Sequence, residues 1–413
     1  MSYPQPKQYI LDYENMGLGM FVHWGLYSQL GMGEWTYFIH KRDMEEYKRL
    51  KDSFTAEDFD AEALVLTAKE AGCRYITLTT RHHEGFSLYD TCGLSDFDAP
   101  NSPAGRDLVR EFVDACHKHG ISPFLYHTTL DWYQPSYRED FDAYLEYLRK
   151  SVELLCKNYG KIGGFFFDGN WNRPNDDWHE DALYATIRKY QPEAIIINNT
   201  GLSARGQVGH PEIDAVTFEQ GRPTPMNRKD MPKYLAAEMC HTLNDHWGIG
   251  ANDFNYQSPA SIIEHLCACR RVGANYLLNI GPQAQGGIEP IQRELFRILG
   301  RWMALYGEAI YRGKPHCATA QNRKNFILQS EDALYLFIHD LSKVGNAHVT
   351  VDGRYTGHLV FNGVSEEIER ILWLDNGEEL AFMQGDGALT FNATGYPYGT
   401  STCVRVAKAV LKK

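Results

Sequence analysis

Short apolar runs recur along the first three quarters of the chain, each followed by a polar loop and a helical pattern. Several runs are almost continuously hydrophobic, as in parallel strands that are buried on both faces. The eight runs are Met20–Trp24, Tyr75–Thr79, Pro123–Tyr126, Gly164–Asp168, Ala194–Asn198, Ala215–Phe218, Ala236–Met239 and Asn275–Ile280. Eight alternating units predict a (β/α)8, TIM-like barrel. An open doubly wound sheet is less favoured, because no Gly-x-Gly-x-x-Gly turn follows the first run.

Helical patterns occupy several of the intervals between these runs. One helix is predicted to begin with Ser102 as its N-cap and Pro103 in its first turn, and to end at Gly120. Other patterns place apolar residues three or four positions apart. These patterns span Phe141–Gly160, Ser258–Val272 and Pro290–Tyr306.

The pattern changes after about residue 313, where segments become short and partly alternating, with turn pairs such as Asn362-Gly363 between them. The segments are Asn325–Gln329, Ala333–His339, Ala347–Val351, His358–Phe361, Ile368–Trp373 and Thr402–Ala407. We therefore predict two domains: a catalytic barrel over residues 1–312 and a small C-terminal antiparallel β-sandwich over residues 313–413.

Composition limits the classes of partner. The 413 residues include 41 Lys and Arg against 53 Asp and Glu, a net charge of −12, which argues against binding to nucleic acid or to an anionic membrane surface. The sequence contains neither an apolar stretch of about 18 residues nor the apolar segment of a secretory signal. Nine scattered cysteines fit reduced thiols. We expect a cytoplasmic protein, and the sequence leaves both a monomer and a homo-oligomer open.

Two carboxylates stand where a barrel enzyme would need them. The active site of such a barrel lies at the C-terminal ends of its strands. Asp168 ends the fourth run and Glu219 follows the sixth. Either residue alone could simply cap a loop. Together they predict the opposed carboxylates of glycoside hydrolysis, in which one acts at the anomeric carbon and the other protonates the leaving oxygen.

Aromatic and histidine side chains at the same strand ends point to a sugar, because apolar sugar faces pack on aromatic rings. The aromatic candidates are Trp24, Trp35, Tyr126, Trp132, Trp171 and Trp247. His82 and His83 are adjacent, so on an extended segment they point to opposite sides and do not chelate one metal together. We therefore predict neither a metal nor another cofactor, and expect His23, His82 and His83 to bind substrate hydroxyls.

A set of short motifs follows in order along most of residues 10–312. The motifs are Gly-Met-Phe-Val-His-Trp-Gly (19–25), Gly-Glu-Trp (33–35), Arg-His-His-Glu-Gly-Phe (81–86), Gly-Arg-Asp-Leu-Val (105–109), Asp-Gly-Asn-Trp (168–171), Trp-Gly (247–248) and Gly-Ala-Asn-Tyr-Leu-Leu-Asn-Ile-Gly-Pro (273–282). With these motifs the chain resembles the α-L-fucosidases of glycoside hydrolase family 29. Each motif alone is weakly specific, but their common order and spacing are specific.

This resemblance implies a retaining α-L-fucosidase in which Asp168 is the nucleophile. It also implies which residues hold the fucose hydroxyls and ring: His23, Glu34, Trp35, His82, His83 and Tyr126. Trp247 matches an aromatic position against the C5 methyl group. The expected partner is a fucosylated oligosaccharide or glycoconjugate.

The general acid/base varies in its surroundings within the family. Glu219 matches the pattern Asp-x-x-Thr-x-Glu of some members, while Glu212 and Glu238 remain rivals. The chain also departs from some members in having Phe166 in place of a tryptophan. Where some members have Asn-Asp-Arg, it has Asn-Asn-Thr at 198–200, so an arginine contact is absent or comes from Arg205.

The sequence therefore predicts hydrolysis of terminal α-L-fucosyl residues by double displacement, with Asp168 as nucleophile and Glu219 as general acid/base. Two alternatives remain. One is a related glycosidase with a different sugar or linkage preference, and the other is a fucose-binding protein that has lost catalysis.

Overall fold

The computed structural model describes residues 3–200, 208–226, 228–341, 344–345, 350–351 and 357–412. All eight predicted strands form, and they close a parallel barrel in chain order, with the eighth strand pairing with the first. The strands are β1 Leu18–Val22, β2 Tyr75–Arg81, β3 Ser122–Thr128, β4 Gly164–Asp168, β5 Ile195–Asn199, β6 Ala215–Thr217, β7 Ala236–His241 and β8 Asn275–Ile280. The predicted barrel is confirmed.

The α-helices have the following bounds. They are α1 Gln8–Glu14, α2 Thr36–Ile39, α3 Met44–Tyr47, α4 Ala61–Glu70, α5 Leu108–His119, α6 Ser136–Glu139, α7 Phe141–Asn158, α8 Glu180–Tyr190, α9 Pro259–Arg271 and α10 Pro290–Arg312. The predicted start at Ser102 is wrong, because α5 begins at Leu108 and the side chain of Asp107 caps it by accepting from the Arg110 backbone nitrogen. The Ser102 hydroxyl instead donates to the carbonyl oxygen of Ala99. The predicted stop at Gly120 is confirmed, with a left-handed φ of 69°.

Helix α1 packs against the barrel interior at the N-terminal ends of the strands. Its Tyr13 hydroxyl donates to Glu238 Oε2 at 2.5 Å, and the Tyr75 hydroxyl donates to the same oxygen at 3.1 Å. All three side chains are fully buried, and we call them the floor cluster. Gly19 of β1 leaves space for this cluster, because a Cβ there would lie 2.4 Å from the Tyr75 ring.

The remaining strands are antiparallel. They are β9 Lys314–Pro315, β10 Thr319–Ala320, β11 Phe326–Gln329, β12 Ala333–His339, β13 Val344–Gly345, β14 Thr350–Val351, β15 Gly357–Asn362, β16 Ile368–Trp373, β17 Glu379–Leu380, β18 Phe382–Gly385, β19 Ala388–Ala393 and β20 Val404–Leu411. One sheet has the order β10-β15-β19-β18 and another the order β17-β16-β20-β12-β11-β9. Both sheets contribute to one apolar core that includes Phe361, Trp373 and Phe391. The predicted β-sandwich is confirmed, and residues 347–349 of the strand predicted over Ala347–Val351 lie outside the described residues.

The chain forms two compact units that interleave in sequence. One unit comprises Met1–Gln257 and Asn275–Arg297, and the other comprises Ser258–Ala274 and Ile298–Lys413. The domain boundary between residues 312 and 313 stays a prediction. None of the described helices combines the length and the apolar composition needed to cross a membrane.

Candidate active site

Asp168 is the last residue of β4, and three side chains donate hydrogen bonds to its carboxylate. Trp171 Nε1 donates to Oδ1 at 2.8 Å, the Tyr126 hydroxyl to Oδ2 at 3.1 Å, and Asn199 Nδ2 to Oδ1 at 3.3 Å. Burial raises the pKa of Asp168 from 3.8 to about 6, while these hydrogen bonds limit the increase. The carboxylate is therefore ionised near neutral pH, as a nucleophile must be.

The turn after Asp168 requires glycine. Gly169 has a φ of 127°, and a Cβ at this position would lie 2.5 Å from the backbone nitrogen of Leu130. The chain then enters a 3-10 turn over Asn170–Asn172, which carries Trp171 back to the Asp168 carboxylate. The Asp-Gly-Asn-Trp motif is thus one local unit: it places the Asp168 carboxylate at the end of β4, and its tryptophan donates a hydrogen bond to that carboxylate.

Glu219 lies two residues beyond the end of β6, and its Oε2 accepts a hydrogen bond from Asn199 Nδ2 at 2.6 Å. The next residue, Gln220, has a left-handed φ of 49°. Its backbone nitrogen donates to the Cys240 carbonyl oxygen at 3.0 Å and its side-chain nitrogen donates to Thr242 Oγ1 at 2.8 Å. These two hydrogen bonds connect the turn at Gln220 to the C-terminal end of β7. They therefore fix the position of the preceding residue, Glu219.

One nitrogen atom contacts both carboxylates. Asn199 Nδ2 lies 3.3 Å from Asp168 Oδ1 and 2.6 Å from Glu219 Oε2, so these two oxygens are at most about 6 Å apart. Two carboxylates at this separation can act on the same substrate atom.

The three predicted histidines cluster beside the carboxylates. Their rings form a chain, with centroids 5.6 Å apart for His23 and His82 and 4.2 Å apart for His82 and His83. Burial lowers the pKa of His23 and of His83 to about 3 and lowers that of His82 as well. His23 Nδ1 lies 2.7 Å from Asn279 Oδ1, and His83 Nδ1 lies 2.7 Å from Thr128 Oγ1. These neutral rings suit hydrogen bonding to uncharged hydroxyl groups.

A cavity of about 180 Å³ opens at the C-terminal ends of the strands. Its lining includes eight of the ten predicted site residues: Asp168, Glu219, His23, Trp35, His82, Tyr126, Trp171 and Trp247. Four further residues complete it: Phe21, Phe166, Asn199 and Cys240. The structure therefore gathers most of the predicted site into one small, partly aromatic cavity.

Glu34 and His83 are not among the lining residues. Glu34 is buried, and its Oε2 accepts from the Gly248 backbone nitrogen at 2.8 Å, which fixes the loop that carries Trp247. His83 Nε2 lies 3.5 Å from Asp168 Oδ2. The substrate-binding roles of both residues stay predictions. Arg205 lies outside the described residues.

The two rivals of Glu219 lie elsewhere. Glu212 is half exposed and pairs with Arg188, with its Oε2 3.1 Å from the arginine Nε. Glu238 belongs to the floor cluster, two residues before Cys240 on β7 and hence toward the N-terminal end of the barrel. Neither residue lines the cavity.

Asn199 lines the cavity, although sequence reasoning did not select it as a site residue. Its position at the end of an apolar strand was an available signal, since the cavity forms at strand ends. Phe21 carried no such signal, because it looks like an ordinary apolar strand residue, and Phe166 stood out only through the family resemblance, as a replacement for a tryptophan of some members.

Within the described ranges, no group of three or more His, Cys, Asp and Glu side chains is placed to hold a metal ion. The cavity lining supplies two carboxylates, an amide, a phenol hydroxyl and neutral imidazole rings.

A (β/α)8 barrel with paired carboxylates in a partly aromatic cavity at its strand ends is the arrangement of a glycoside hydrolase. A family model described as Alpha-L-fucosidase matches residues 5–308. The chain belongs to this alpha-L-fucosidase family, and the protein is a glycoside hydrolase.

Individual relatives agree with this assignment. The chain is 29% identical over 343 residues to tissue alpha-L-fucosidase of Mus musculus, covering 76% of this chain and 74% of that protein. Alpha-L-fucosidase isoenzyme 1 from Paenibacillus thiaminolyticus is similar in structure, with a TM-score of 0.83, 28% identity, and coverage of 98% and 99%. A trapped covalent intermediate of a GH29 alpha-L-fucosidase from Bacteroides thetaiotaomicron, in complex with 2-fluoro-fucosyl fluoride, has a TM-score of 0.81 at 22% identity, with coverage of 100% and 98%. This last likeness shows the fold.

Proposed function

We propose that this enzyme is a retaining exo-α-L-fucosidase that removes terminal α-L-fucosyl residues from oligosaccharides or glycoconjugates. The observation that carries the proposal is the shared contact of Asp168 and Glu219 with Asn199 Nδ2, which limits the distance between Asp168 Oδ1 and Glu219 Oε2 to at most about 6 Å. Retaining enzymes place their carboxyl groups about 5–5.5 Å apart, whereas inverting enzymes need about 6.5–9.5 Å to admit a water molecule.

In the first step, a carboxylate oxygen of Asp168 forms a bond to the anomeric carbon. The bond from that carbon to the aglycone oxygen breaks, and Glu219 donates a proton to the departing oxygen. Hydrogen bonds from Trp171 and Tyr126 orient the attacking carboxylate. The product is a fucosyl ester on Asp168 and an ionised Glu219.

In the second step, Glu219 takes a proton from water while the water oxygen attacks the anomeric carbon. The ester bond breaks, Asp168 regains its negative charge, and fucose leaves with its original anomeric configuration. The structure of the Bacteroides thetaiotaomicron enzyme likewise contains a trapped covalent intermediate.

The presence of both apolar and polar residues in the cavity lining supports a deoxysugar substrate. Phe21, Phe166 and Trp247 are apolar lining residues suited to a C5 methyl group, while His23 and His82 can bind hydroxyls. An apolar pocket disfavours an added hydroxymethyl group by only about 1–3 kcal/mol, so a comparison with a β-D-galactoside tests the sugar preference.

The decisive experiment measures hydrolysis of an aryl α-L-fucoside and of a fucosylated oligosaccharide by wild type, Asp168→Ala and Glu212→Gln. We expect turnover by wild type and by the Glu212 control, and a loss of about a thousandfold or more in Asp168→Ala. Proton NMR should show α-L-fucose as the first product. An active Asp168→Ala variant or a β-configured first product would refute the mechanism, and binding of fucose with no turnover of either substrate would refute the activity.

The role of Glu219 needs a separate test. Glu219→Ala should lose about a hundred- to ten-thousandfold in kcat/KM, which reports the first step, with a basic leaving group, and much less with an acidic aryl leaving group that departs without protonation. A uniform loss with both leaving groups would contradict acid catalysis by Glu219. A cytoplasmic location stays a prediction, with a monomer and a homo-oligomer both open.

A further inference from the structure

Asn199 occupies the strand between the two carboxylate-bearing strands. It is the last residue of β5 and pairs in register with Asp168 of β4. On its other side β5 pairs with β6, which leads into Glu219. The Asn199 residue is only 6% exposed, and its side chain lines the cavity.

A primary amide nitrogen has two hydrogens, and here two carboxylate oxygens lie within reach of that one nitrogen. Resting on the function proposed above, we propose that Asn199 is a positioning residue, whose amide donates one N–H to each carboxyl group and so holds the nucleophile and the acid/base at a working separation. Asn199 contacts one oxygen of each carboxyl group, and it does so without contributing charge.

The neutrality of the amide matters for a site that must keep one acid ionised and the other protonated. A lysine between Asp168 and Glu219 would favour the ionised form of both carboxyl groups and oppose proton donation by Glu219. A carboxylate in the same place would repel both groups. An amide gives directed hydrogen bonds to either protonation state and leaves the proton on Glu219 available.

The two hydrogen bonds change in opposite directions during catalysis. When Asp168 becomes an ester it is a weaker acceptor, while Glu219, having lost its proton, becomes a stronger charged acceptor. The second step reverses this exchange. Because the Glu219 contact is already the shorter of the two, at 2.6 Å against 3.3 Å, Asn199 is placed to stabilise the fucosyl-enzyme state in particular.

The electrostatics of Asp168 agree with this role. Burial raises the pKa of its carboxyl group, and the hydrogen bond from Asn199 is one of the interactions that lower it. Removal of the amide should therefore raise the pH at which Asp168 ionises.

The first test compares the pH dependence of kcat/KM for an aryl α-L-fucoside in wild type, Asn199→Ala and the control Asn198→Ala. Asn198 is the preceding residue, and its Nδ2 donates to the Tyr184 hydroxyl at 2.8 Å rather than lining the cavity. Asn199→Ala should lower kcat/KM by about ten- to a hundredfold, the cost of removing hydrogen bonds to charged groups. In Asn199→Ala the fall of kcat/KM on the acidic side of the pH profile, called the acidic limb, should also move to higher pH. In Asn198→Ala the acidic limb should stay where it is in wild type.

A second variant tests the charge argument and guards against misfolding of the alanine variant. Asn199→Asp keeps the side-chain shape but replaces the donor by a carboxyl group. We expect it to be less active than Asn199→Ala near neutral pH, where its charge repels both neighbours. The activity ratio of Asn199→Asp to Asn199→Ala should rise toward about pH 5, because a protonated carboxyl group can again donate one hydrogen bond. A general structural role would leave this ratio independent of pH.

A binding measurement separates this inference from the proposed function. Calorimetry with a cationic, fucose-configured iminocyclitol reports the ionisation of Asp168 even without turnover, through the pH dependence of Kd. Asn199→Ala should shift that dependence to higher pH. The inference is overturned if Asn199→Ala stays within twofold of wild-type kcat/KM with an unmoved acidic limb, if the ratio above does not change with pH, or if the inhibitor profile does not shift. Absence of wild-type turnover would instead overturn the proposed function.

Discussion

Replacement of Glu238 by glutamine should make the protein more stable at alkaline pH without impairing catalysis. Glu238 lies fully buried in the floor cluster, where only Oε2 receives hydrogen bonds from Tyr13 and Tyr75, and Oε1 has no partner among the described residues. Burial outweighs these two bonds and raises the pKa of Glu238 from 4.5 to about 7.

The sign and size of the effect follow from proton linkage. A carboxyl group with a raised pKa in the folded state binds its proton more tightly there than in the unfolded chain. Its favourable contribution is therefore fully present below about pH 4.5 and is lost as pH rises through about 7. A difference of between two and three pKa units corresponds to about 3 kcal/mol in the free energy of unfolding.

Glutamine stays neutral at every pH and can still accept the tyrosine hydrogen bonds, so Glu238→Gln should remove this loss. Urea unfolding between about pH 4.5 and 8 should show the stability of the variant rising relative to wild type by about 3 kcal/mol. Glu212→Gln, which changes a half-exposed carboxyl group, serves as the control and should show no such trend. A constant difference between Glu238→Gln and wild type across this range would refute the reasoning. Loss of catalysis in Glu238→Gln would restore Glu238 as a candidate acid/base.

Three further outcomes can be measured. The acidic limb of kcat/KM should lie near pH 6, because activity needs ionised Asp168 and is lost as pH falls through the pKa of this residue. An acidic limb near pH 4 in a pH–rate profile would contradict the raised pKa of Asp168. Trp171→Phe removes the 2.8 Å donor to Asp168, so it should shift that limb upward and lower kcat/KM about tenfold, and an unshifted limb would count against the contact. Gly19→Ala should destabilise the barrel by about 1–3 kcal/mol in thermal unfolding, because its Cβ would overlap the Tyr75 ring, and an unchanged Tm would show that the ring moves freely.

The strands could be predicted because burial on both faces leaves a sequence signal that needs no tertiary knowledge. Gly164–Asp168 and Asn275–Ile280 form strands over the predicted bounds. The start of α5 could not be predicted in the same way, since Ser102 and Asp107 are both good N-caps. The choice depends on distant contacts of Ser102, whose hydroxyl also donates to the carbonyl oxygen of Phe54.

The site was predictable as far as it follows from position at a strand end. Asp168, Glu219 and Trp171 meet there because parallel strands deliver their C-terminal ends to one rim. The placement of Asn199 between the two carboxylates was not predictable, because it depends on the register of β5 against two neighbours. Glu238 and Glu219 carry the same side chain and differ in their positions along the barrel axis. Those positions depend on strand tilt and stagger.

The floor cluster also constrains the order in which this chain can fold during synthesis. Tyr13 leaves the ribosome 225 residues ahead of Glu238, the residue that its hydroxyl must meet. At about 5–20 residues per second, helix α1 waits some tens of seconds or less for its binding partner on β7. Until then its apolar face and the early strands lack the later strands that bury them in the folded barrel, and such exposed apolar surface is prone to aggregate. A variant that weakens the Tyr13 contact should therefore lower the yield of folded protein in cells more than it lowers the melting temperature of the protein that does fold.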